Sequence, residues 1–274
     1  MNLIKGIDVS RWQGEIDWQA VKNSGLNFVI AKITGADAGL YTDRNALKNV
    51  AGIKSAGLIV GGYHYAFFKN IDEASKEAEY FKSIAGNLGL QFVVMDLEYQ
   101  NASGDLTDAS LHFLESVASI GRPVVYANPS FIRSHFNIRI TKYPLWIAHY
   151  NVSAPSVPLW DTWDIWQQTS TGAVSGISGN VDIDVMKPEF MNWRGNMENF
   201  ILYNGEGDAK AVQLLSAYLH APAIIKGDES QQDLDNTVNL YEVGGAKKYP
   251  KSIILSGSDW VETYKAVLKF CGRL

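Results

Sequence analysis

The chain has 274 residues, of which 46% are hydrophobic and 19% are charged, and its formal net charge at pH 7 is −5. This composition is typical of a globular protein and allows one large domain, or a large domain and a small one. It argues against nucleic acid as the main partner, since no Lys/Arg-rich cluster occurs, and against membrane insertion, since no run approaches the ~20 apolar residues of a span.

Strands and helices are predicted to alternate through the first part of the chain. Short apolar runs bounded by Gly, Pro or polar residues predict strands at 5–10, 27–33, 58–68, 92–98 and 123–127. Amphipathic spacing predicts helices between them at 18–22, 43–55, 71–85 and 108–120, and a short helical piece from residue 129. Asp17 and Thr107 are predicted to cap two of these helices.

Strands that are joined by Pro/Ser/Gly-rich loops are predicted to follow, at 145–150, 164–168 and 181–185. Eight strands, of which the first five are connected by helices, favour an α/β barrel with a parallel core over residues 1–190. Residues 191–197 are the predicted linker. Beyond it a small α/β domain is predicted at 198–274, with strands at 200–203, 223–225, 238–243 and 252–255 and helices at 209–220 and 259–270.

Two acids, Asp96 and Glu98, end the apolar run that begins at Phe92. On a strand, residues two apart point to the same side, so the two carboxyl groups are predicted to lie side by side. Each then disfavours the ionisation of the other, and one of them keeps its proton near neutral pH. A protonated acid beside an ionised one is what glycoside hydrolysis requires. The alternative is a strand end with two solvated acids.

The active site of a parallel barrel lies at the carboxyl ends of its strands. Acids and aromatic residues stand at these ends in the predicted strands: Asp8, Tyr63, Tyr65, Asp96, Glu98, Tyr126, Trp146, Trp166, Asp182 and Asp184. The predicted site is therefore acidic and rich in aromatic faces, which stack on the apolar faces of sugar rings. For each aromatic residue, a place in the core is the alternative.

Six short motifs then carry a resemblance to a known family. They are, in chain order, Gly6-Ile7-Asp8-Val9-Ser10, Gly62-Tyr63-His64-Tyr65, Met95-Asp96-Leu97-Glu98, Trp146-Ile147-Ala148, Trp166-Gln167 and Val181-Asp182-Ile183-Asp184. In this order they resemble the landmarks of glycoside hydrolase family 25, the lysozymes found in phage endolysins and bacterial autolysins. The resemblance covers about residues 1–190. It implies an irregular (β/α) barrel of five βα units followed by three strands.

The resemblance also implies an activity, which is cleavage of the β-1,4 bond between N-acetylmuramic acid and N-acetylglucosamine. Glu98 is then expected to be the general acid, and Asp96 is expected to stabilise charge or to assist the acetamido group of the substrate as it attacks the anomeric carbon. Direct attack by a carboxylate is the competing route. Asp8 and Asp182 are expected to complete an acidic floor that stabilises oxocarbenium charge.

Asp184 stands where the family often has Asn, so whether Asp182 or Asp184 faces the pocket stays open. Asp184 is expected to bind substrate. The other expected substrate-binding residues are the aromatic ones at the strand ends: Tyr63, Tyr65, Tyr126, Trp146 and Trp166.

A metal-dependent polysaccharide deacetylase and a non-catalytic peptidoglycan-binding protein are the alternative functions. His64, His149 and Asp8 are the candidates for a metal site, but the chain has no His-x-x-x-His pair and no Asp-Asp dyad. We therefore expect no metal and no other cofactor. The single cysteine, Cys271, excludes an internal disulfide and is predicted to be a free thiol. Retention of all four family acids disfavours the non-catalytic alternative.

The second domain resembles the cell-wall-binding domains of clostridial phage endolysins. It is expected to bind peptidoglycan or a secondary wall polymer and so to hold the barrel on an insoluble substrate. Met197 lies at its start, where an internal start of translation or proteolysis would release a shorter product. Such a product is a candidate for homo-oligomer contacts with full-length chains.

Residues 1–6 contain no long apolar segment, so no Sec-type signal peptide is predicted. The protein is accordingly expected to be made in a host cytoplasm and to act on the cell wall after release.

Overall fold

The computed structural model describes residues 3–192, 197–219, 221, 223–229, 234 and 237–274. It divides the chain into two compact units, Met1–Asn192 and Trp193–Leu274, which are described separately. Most of the predicted linker, residues 193–196, lies outside the described residues. No helix in the described ranges is long and apolar enough to cross a membrane.

The first unit is a barrel with helices on its outer side. Its strands are β1 (Ile4–Val9), β2 (Phe28–Gly35), β3 (Tyr41–Thr42), β4 (Ile59–Tyr65), β5 (Phe92–Asp96), β6 (Arg122–Ala127), β7 (Leu145–Ala148), β8 (Ile165–Gly172) and β9 (Val181–Met186). Its helices are α1 (Trp18–Asn23), α2 (Ala46–Ser55), α3 (Ile71–Ala85), α4 (Thr107–Val117) and α5 (Pro129–His135).

The strands follow the order β1-β9-β8-β7-β6-β5-β4-β2-β3, and a pairing of β1 with β2 closes the barrel. The pairs from β2 through β4, β5, β6, β7 to β8 are parallel, whereas β9 runs antiparallel to both β8 and β1. The short β3 forms an antiparallel pair with β2 and was not predicted. The irregular α/β barrel with five helix-connected strands and three further strands is confirmed.

Aromatic side chains fill the barrel interior at the end remote from the site. Phe28 on β2 and Phe92 on β5 are almost completely buried there. Two glycines make room for them, because a Cβ on Gly6 would lie 2.4 Å from the Phe28 ring and one on Gly61 would lie 2.3 Å from the Phe92 ring. Successive strand residues point to opposite faces, so the polar residues at the carboxyl ends continue the same inward row.

The helices cover the outer face of the barrel with their apolar stripes. In α3, the buried residues are spaced three or four apart, at Ala74, Ala78, Phe81 and Ala85. Asn70 caps this helix by accepting a hydrogen bond from the Glu73 backbone N–H. Complete burial of an aromatic side chain such as Phe81 stabilises the fold by about 1.5–3 kcal/mol. Helix α3 thus fixes the outer face of the strands whose inner face carries the site.

Several predicted boundaries were wrong. The strand predicted at 58–68 is β4 (Ile59–Tyr65), and the helix predicted from residue 43 begins at Ala46. Two further differences concern β5 and α4. Strand β5 ends at Asp96, so Glu98 lies in the segment that follows the strand. Thr107 does not cap α4 but is its first residue, and its hydroxyl accepts a hydrogen bond from the Asn137 backbone N–H at 2.9 Å. Asp105 instead accepts a bond from the Thr107 N–H, at 2.8 Å. The predicted cap of α1 is confirmed, since Asp17 accepts bonds from the N–H groups of Gln19 and Ala20.

The second unit contains a parallel sheet in the order β11-β10-β12-β13. Its elements are β10 (Met197–Tyr203), α6 (Ala209–Leu219), β11 (Ala223–Ile225), β12 (Thr237–Val243), β13 (Ile253–Leu255) and α7 (Trp260–Phe270). Its core contains Ile201, Leu215, Val243 and Val267, which are completely buried. A buried ion pair joins Lys226 to Glu242 at 3.0 Å. The predicted small α/β fold of this unit is confirmed.

Candidate active site

Four acidic side chains on strands meet at the carboxyl ends of the parallel strands. Asp8 is near the end of β1, Asp96 is the last residue of β5, and Asp182 and Asp184 are on β9. Since β9 is antiparallel to β1, Asp182 lies directly opposite Asp8. Glu98 joins them from the segment after β5. The predicted acidic cluster is therefore present as one group, although Glu98 is held by a loop and not by strand geometry.

Asp8 is held by a network of amide and phenol groups. Gln167 Nε2 donates to Asp8 Oδ2 at 2.6 Å. Gln167 Oε1 accepts hydrogen bonds from the hydroxyl groups of Tyr126 at 2.9 Å and Tyr150 at 2.6 Å. Burial raises the pKa of Asp8 well above its ordinary value, and the charges of Asp184 and Asp182 raise it further. The network therefore fixes a carboxyl group that holds a proton more tightly than a solvated one.

Asp184 is the most deeply buried acid of the cluster, with no exposed surface, and Trp146 Nε1 donates to its Oδ1 at 2.8 Å. Its Oδ2 receives no hydrogen bond from an N–H or hydroxyl group in the part of the chain that the structure describes, whereas a hydrogen bond between carboxyl groups joins Asp184 to Asp8. Asp182 is less buried. Burial raises the pKa of both carboxyl groups, and it raises the pKa of Asp184 more than that of Asp182. The charges of Asp182 and Asp184 both raise the pKa of Asp8, so both side chains face the acidic cluster. The question of which of the two faces the pocket therefore has the answer that both do.

Asp96 and Glu98 form the centre of the cluster. Burial raises the pKa of Glu98 to about 7; the charge of Asp182 raises it too, whereas the charge of Lys32 lowers it. Burial and then the charge of Glu98 raise the pKa of Asp96 well above its ordinary value. Asp96 Oδ1 is buried without a hydrogen-bond partner among the described residues. Glu98 is therefore an acid that titrates near neutral pH beside an oxygen that is free to accept a bond.

Lys32 is a member of the site that the sequence analysis missed. Its ammonium nitrogen lies 4.5 Å from the ring centroid of Tyr65, 5.6 Å from that of Tyr41 and 5.7 Å from that of Tyr63. Burial lowers the pKa of Lys32, and the charge of Asp96 opposes this. The available signal was its position on β2, two residues beyond Ile30 on the inward-pointing row.

Two predicted sugar platforms have other roles. Trp166 lies on the outward side of β8, packs edge-on against Trp163 at 5.9 Å and donates to the His149 carbonyl oxygen at 2.9 Å. It does not lie with the acids, because its neighbour Gln167 takes the inward position. Trp146 points inward but is only 2% exposed, so it supports Asp184 and offers no free face. Tyr126 is also buried, whereas Tyr63 and Tyr65 are partly exposed beside Lys32.

The two histidines that were considered as metal ligands are engaged elsewhere. His64 is completely buried; its Nδ1 is 2.7 Å from the Thr34 hydroxyl and its Nε2 is 2.9 Å from Glu77 Oε2. It points away from Tyr63 and Tyr65, its neighbours on β4, because side chains alternate along a strand. His149 Nδ1 accepts a hydrogen bond from the Ser156 backbone N–H at 3.0 Å. Among the residues with described positions, no three His, Cys, Asp or Glu side chains are placed to hold a metal ion.

Known proteins resemble this chain mainly over the barrel. Residues 7–177 match the family model for glycosyl hydrolases family 25. Lysozyme M1 of Streptomyces globisporus is 33% identical over 65% of this chain and 66% of its own length. The autolytic lysozyme of Clostridium acetobutylicum is 31% identical over 66% of this chain, and the match covers only 55% of the length of that relative.

One solved structure resembles both units. The crystal structure of the CTP1L endolysin is 35% identical in sequence, with a TM-score of 0.65, and the match covers 99% of this chain and 100% of that one. The bacterial lysozyme of Streptomyces coelicolor is 29% identical, with a TM-score of 0.56, over 68% of this chain and 93% of its own. With the family model matching 7–177 and the acids gathered at the carboxyl ends of a closed barrel, this chain belongs to glycosyl hydrolases family 25.

Proposed function

We propose that the chain is an endolysin-type lysozyme that hydrolyses the β-1,4 bond between N-acetylmuramic acid and N-acetylglucosamine in bacterial peptidoglycan. Its similarity to two proteins named lysozyme and to an endolysin supports this substrate. The proposal rests on one observation about Glu98. This carboxyl group lies in an acidic cluster, and burial raises its pKa to about 7. Such a group is protonated in a large fraction of molecules at neutral pH and can serve as a general acid.

In the proposed mechanism, Glu98 donates its proton to the glycosidic oxygen as the bond to the anomeric carbon breaks. The acetamido oxygen of the substrate attacks that carbon, and Asp96 accepts a hydrogen bond from the acetamido N–H. Water then attacks the anomeric carbon as the bond from that carbon to the acetamido oxygen breaks, which restores the acetamido group. The attacking water gives its proton to the Glu98 carboxylate, which restores the acid. The buried, unpartnered Oδ1 of Asp96 supports this route, because a buried acceptor without a bond is costly and a substrate N–H would satisfy it.

The bond that is cleaved can be identified from the new reducing ends. Purified cell walls are digested, the products are reduced with borohydride and the fragments are analysed by mass spectrometry. Reduced muramic acid ends are expected from the wild type, and Glu98→Gln is expected to lower their rate of formation by ~10²–10⁴. Glu79→Gln, at an exposed position of α3, is the matched control.

Two other outcomes of the digest would change the proposal, one the bond that is cleaved and the other the activity itself. Reduced glucosamine ends would keep a hydrolase but replace the bond, and no new ends at all would favour a binding protein or a deacetylase. The route is tested by quenching a reaction and measuring the mass of the protein. A sugar bound covalently to Asp96 would contradict attack by the acetamido group.

We propose further that the second unit binds the cell wall and holds the barrel on its substrate. The similarity to the CTP1L endolysin over 99% of this chain supports a shared two-unit organisation. Tethering to an insoluble polymer raises the effective concentration of the barrel without any new contact at the site.

A shorter product that begins near Met197 is proposed as well. The activity of the CTP1L endolysin is regulated by a secondary translation product. Here β10 begins at Met197, and its pairing with β12 starts at that residue, so a product with this start would contain the whole strand. Intact mass spectrometry of the purified protein should reveal the fragment, and Met197→Leu should remove it if it arises by translation. A single full-length species under all expression conditions would contradict this proposal.

A further inference from the structure

A cavity adjoins the acidic cluster. Its volume is about 410 Å³, and Glu98 lies on its wall. The rest of the wall comes mainly from two segments: helix α5, including Ser130 in its first turn and Arg133 in its last turn, and the loop after β7, including His149 and Ser156. A volume of this size is in the range of small-molecule sites, so the cavity can receive a substituent of the substrate beside the general acid.

Arg133 brings a positive charge to this cavity. Its Nη1 donates to the Pro129 carbonyl oxygen at 3.3 Å, and its Nη2 donates to Ser156 Oγ at 2.9 Å. These bonds orient the guanidinium group but leave several of its five N–H donors unused. No acidic side chain among the described residues is paired with Arg133 in an ion pair. It is therefore an oriented cation without an internal counter-ion.

His149 adds a donor of fixed direction. Its Nδ1 accepts a hydrogen bond from the Ser156 N–H, so in the neutral ring the proton is on Nε2. Ser156 thus fixes both groups, since its N–H orients His149 and its hydroxyl orients Arg133. Ser156 therefore couples the positions of two donors on the wall of one cavity.

The part of the wall that Arg133, His149 and Ser156 form thus presents donors and one positive charge. A group that fits must accept hydrogen bonds and be negatively charged, and a carboxylate meets both needs because Arg binds it with parallel N–H donors. Peptidoglycan carries carboxylates close to its sugar rings, either on the lactyl ether of muramic acid or on the peptide attached to it. We propose that the cavity formed by Arg133, His149 and Ser156 is a subsite that binds a substrate carboxylate next to the scissile bond. This inference rests on the proposed function, whose substrate class it makes more specific.

The subsite has a consequence for the acid. A carboxylate bound in the same cavity as Glu98 disfavours the ionised form of Glu98 and so favours the protonated form that the first step needs. Arg133 compensates the charge of the incoming group at the other side of the cavity. A substrate that carries this carboxylate is therefore bound more tightly than a neutral glycan of the same length.

The test compares Arg133→Gln with the wild type on soluble peptidoglycan strands. On untreated strands the variant is expected to raise KM about tenfold and to change kcat little, because a charge-assisted contact to the ground state is lost. On strands whose carboxylates have been amidated with carbodiimide and methylamine, the wild type should show the same high KM, and the variant should show no additional loss. Arg133→Lys should restore part of the affinity for untreated strands. Arg139→Gln is the matched control, since Arg139 pairs with the exposed Asp108 at 2.7 Å.

A third substrate distinguishes the two sources of the carboxylate. Removal of the peptide by an amidase leaves a free lactyl carboxylate. A low KM that still depends on Arg133 would show that the lactyl carboxylate alone can occupy the subsite, and a high KM for both proteins would assign the contact to a carboxylate of the peptide. An equal ratio of KM between variant and wild type on untreated and amidated strands would overturn the subsite.

Binding separates this inference from the proposed function. The dissociation constants of the same strands are measured by calorimetry in a Glu98→Gln background, with and without Arg133→Gln. If the wild type releases no reducing ends, the proposed hydrolysis fails, whereas the binding contrast between untreated and amidated strands still decides the subsite.

Discussion

At the scale of single residues, the pH dependence of activity should report Glu98. The general acid must be protonated in the free enzyme, and burial raises the pKa of Glu98 to about 7, so kcat/KM should fall as pH rises through that value. Lys32 lowers the pKa of Glu98, so Lys32→Met should move this alkaline limb to higher pH. The measurement is a kcat/KM profile between pH 5 and 9. Lys76→Met, at an exposed position of α3, serves as the control, and an unchanged limb in Lys32→Met would contradict the electrostatic role of Lys32.

Asp184 should make stability depend on pH. Burial raises its pKa in the folded state, so the folded protein keeps a proton that the unfolded chain loses. The stability associated with this proton is complete below the ordinary pKa of aspartate and is lost as pH rises toward the folded-state value. Asp184→Asn keeps an acceptor for Trp146 Nε1 but cannot titrate.

The variant should therefore raise Tm at pH 8 relative to the wild type and change it less at pH 4. Thermal unfolding followed by circular dichroism at the two pH values measures this difference. Asp182→Asn, at a less buried position, should give a smaller effect of the same sign. An equal loss of Tm at both pH values would show that the carboxylate is needed for packing or hydrogen bonding.

At the scale of elements, the close approach of β4 and β5 depends on a glycine, Gly61, which has no side chain. These strands are paired with Gly61 opposite Phe92, and a Cβ on Gly61 would lie 2.3 Å from the Phe92 ring. The ring is buried in the barrel and cannot turn out of the way, so Gly61→Ala should cost about 1–3 kcal/mol of unfolding free energy. Phe92→Leu should relieve the clash, and the double variant should lose less than the sum of the single losses. Additive losses in chemical denaturation would contradict this contact.

Strand alternation also explains the two errors at the site. On β8, Trp166 and Gln167 are adjacent, and only one of them can face the barrel interior. Trp166 was the predicted substrate-binding residue, but the Gln167 amide is the group that reaches Asp8. On β5, the strand ends at Asp96, so the spacing of two residues to Glu98 no longer fixes a shared direction.

At the scale of the whole molecule, we expect the barrel to carry out hydrolysis and the second unit to bind the cell wall. The barrel spans Met1–Asn192 and has its own closed sheet and core, so a protein that ends at Asn192 should fold alone. It should hydrolyse soluble peptidoglycan fragments at about the rate of the full chain. Its rate on intact walls should fall by ~10-fold or more, because effective concentration at the surface is lost. Equal rates on walls for both proteins would contradict wall binding by the second unit.

The sequence by itself determined the alternation of strands and helices that indicates a barrel, and the acids that belong together. Apolar runs, amphipathic spacing and strand-end carboxylates are local properties, and parallel strands necessarily bring their carboxyl ends to one edge. The tertiary structure alone decided burial and partners. It alone placed Asp184 against Trp146, Lys32 among three tyrosine rings and Arg133 on a cavity wall shared with Glu98. These contacts join residues far apart in the chain, and the pKa of Glu98 depends on them, because desolvation and neighbouring charges are properties of the folded environment.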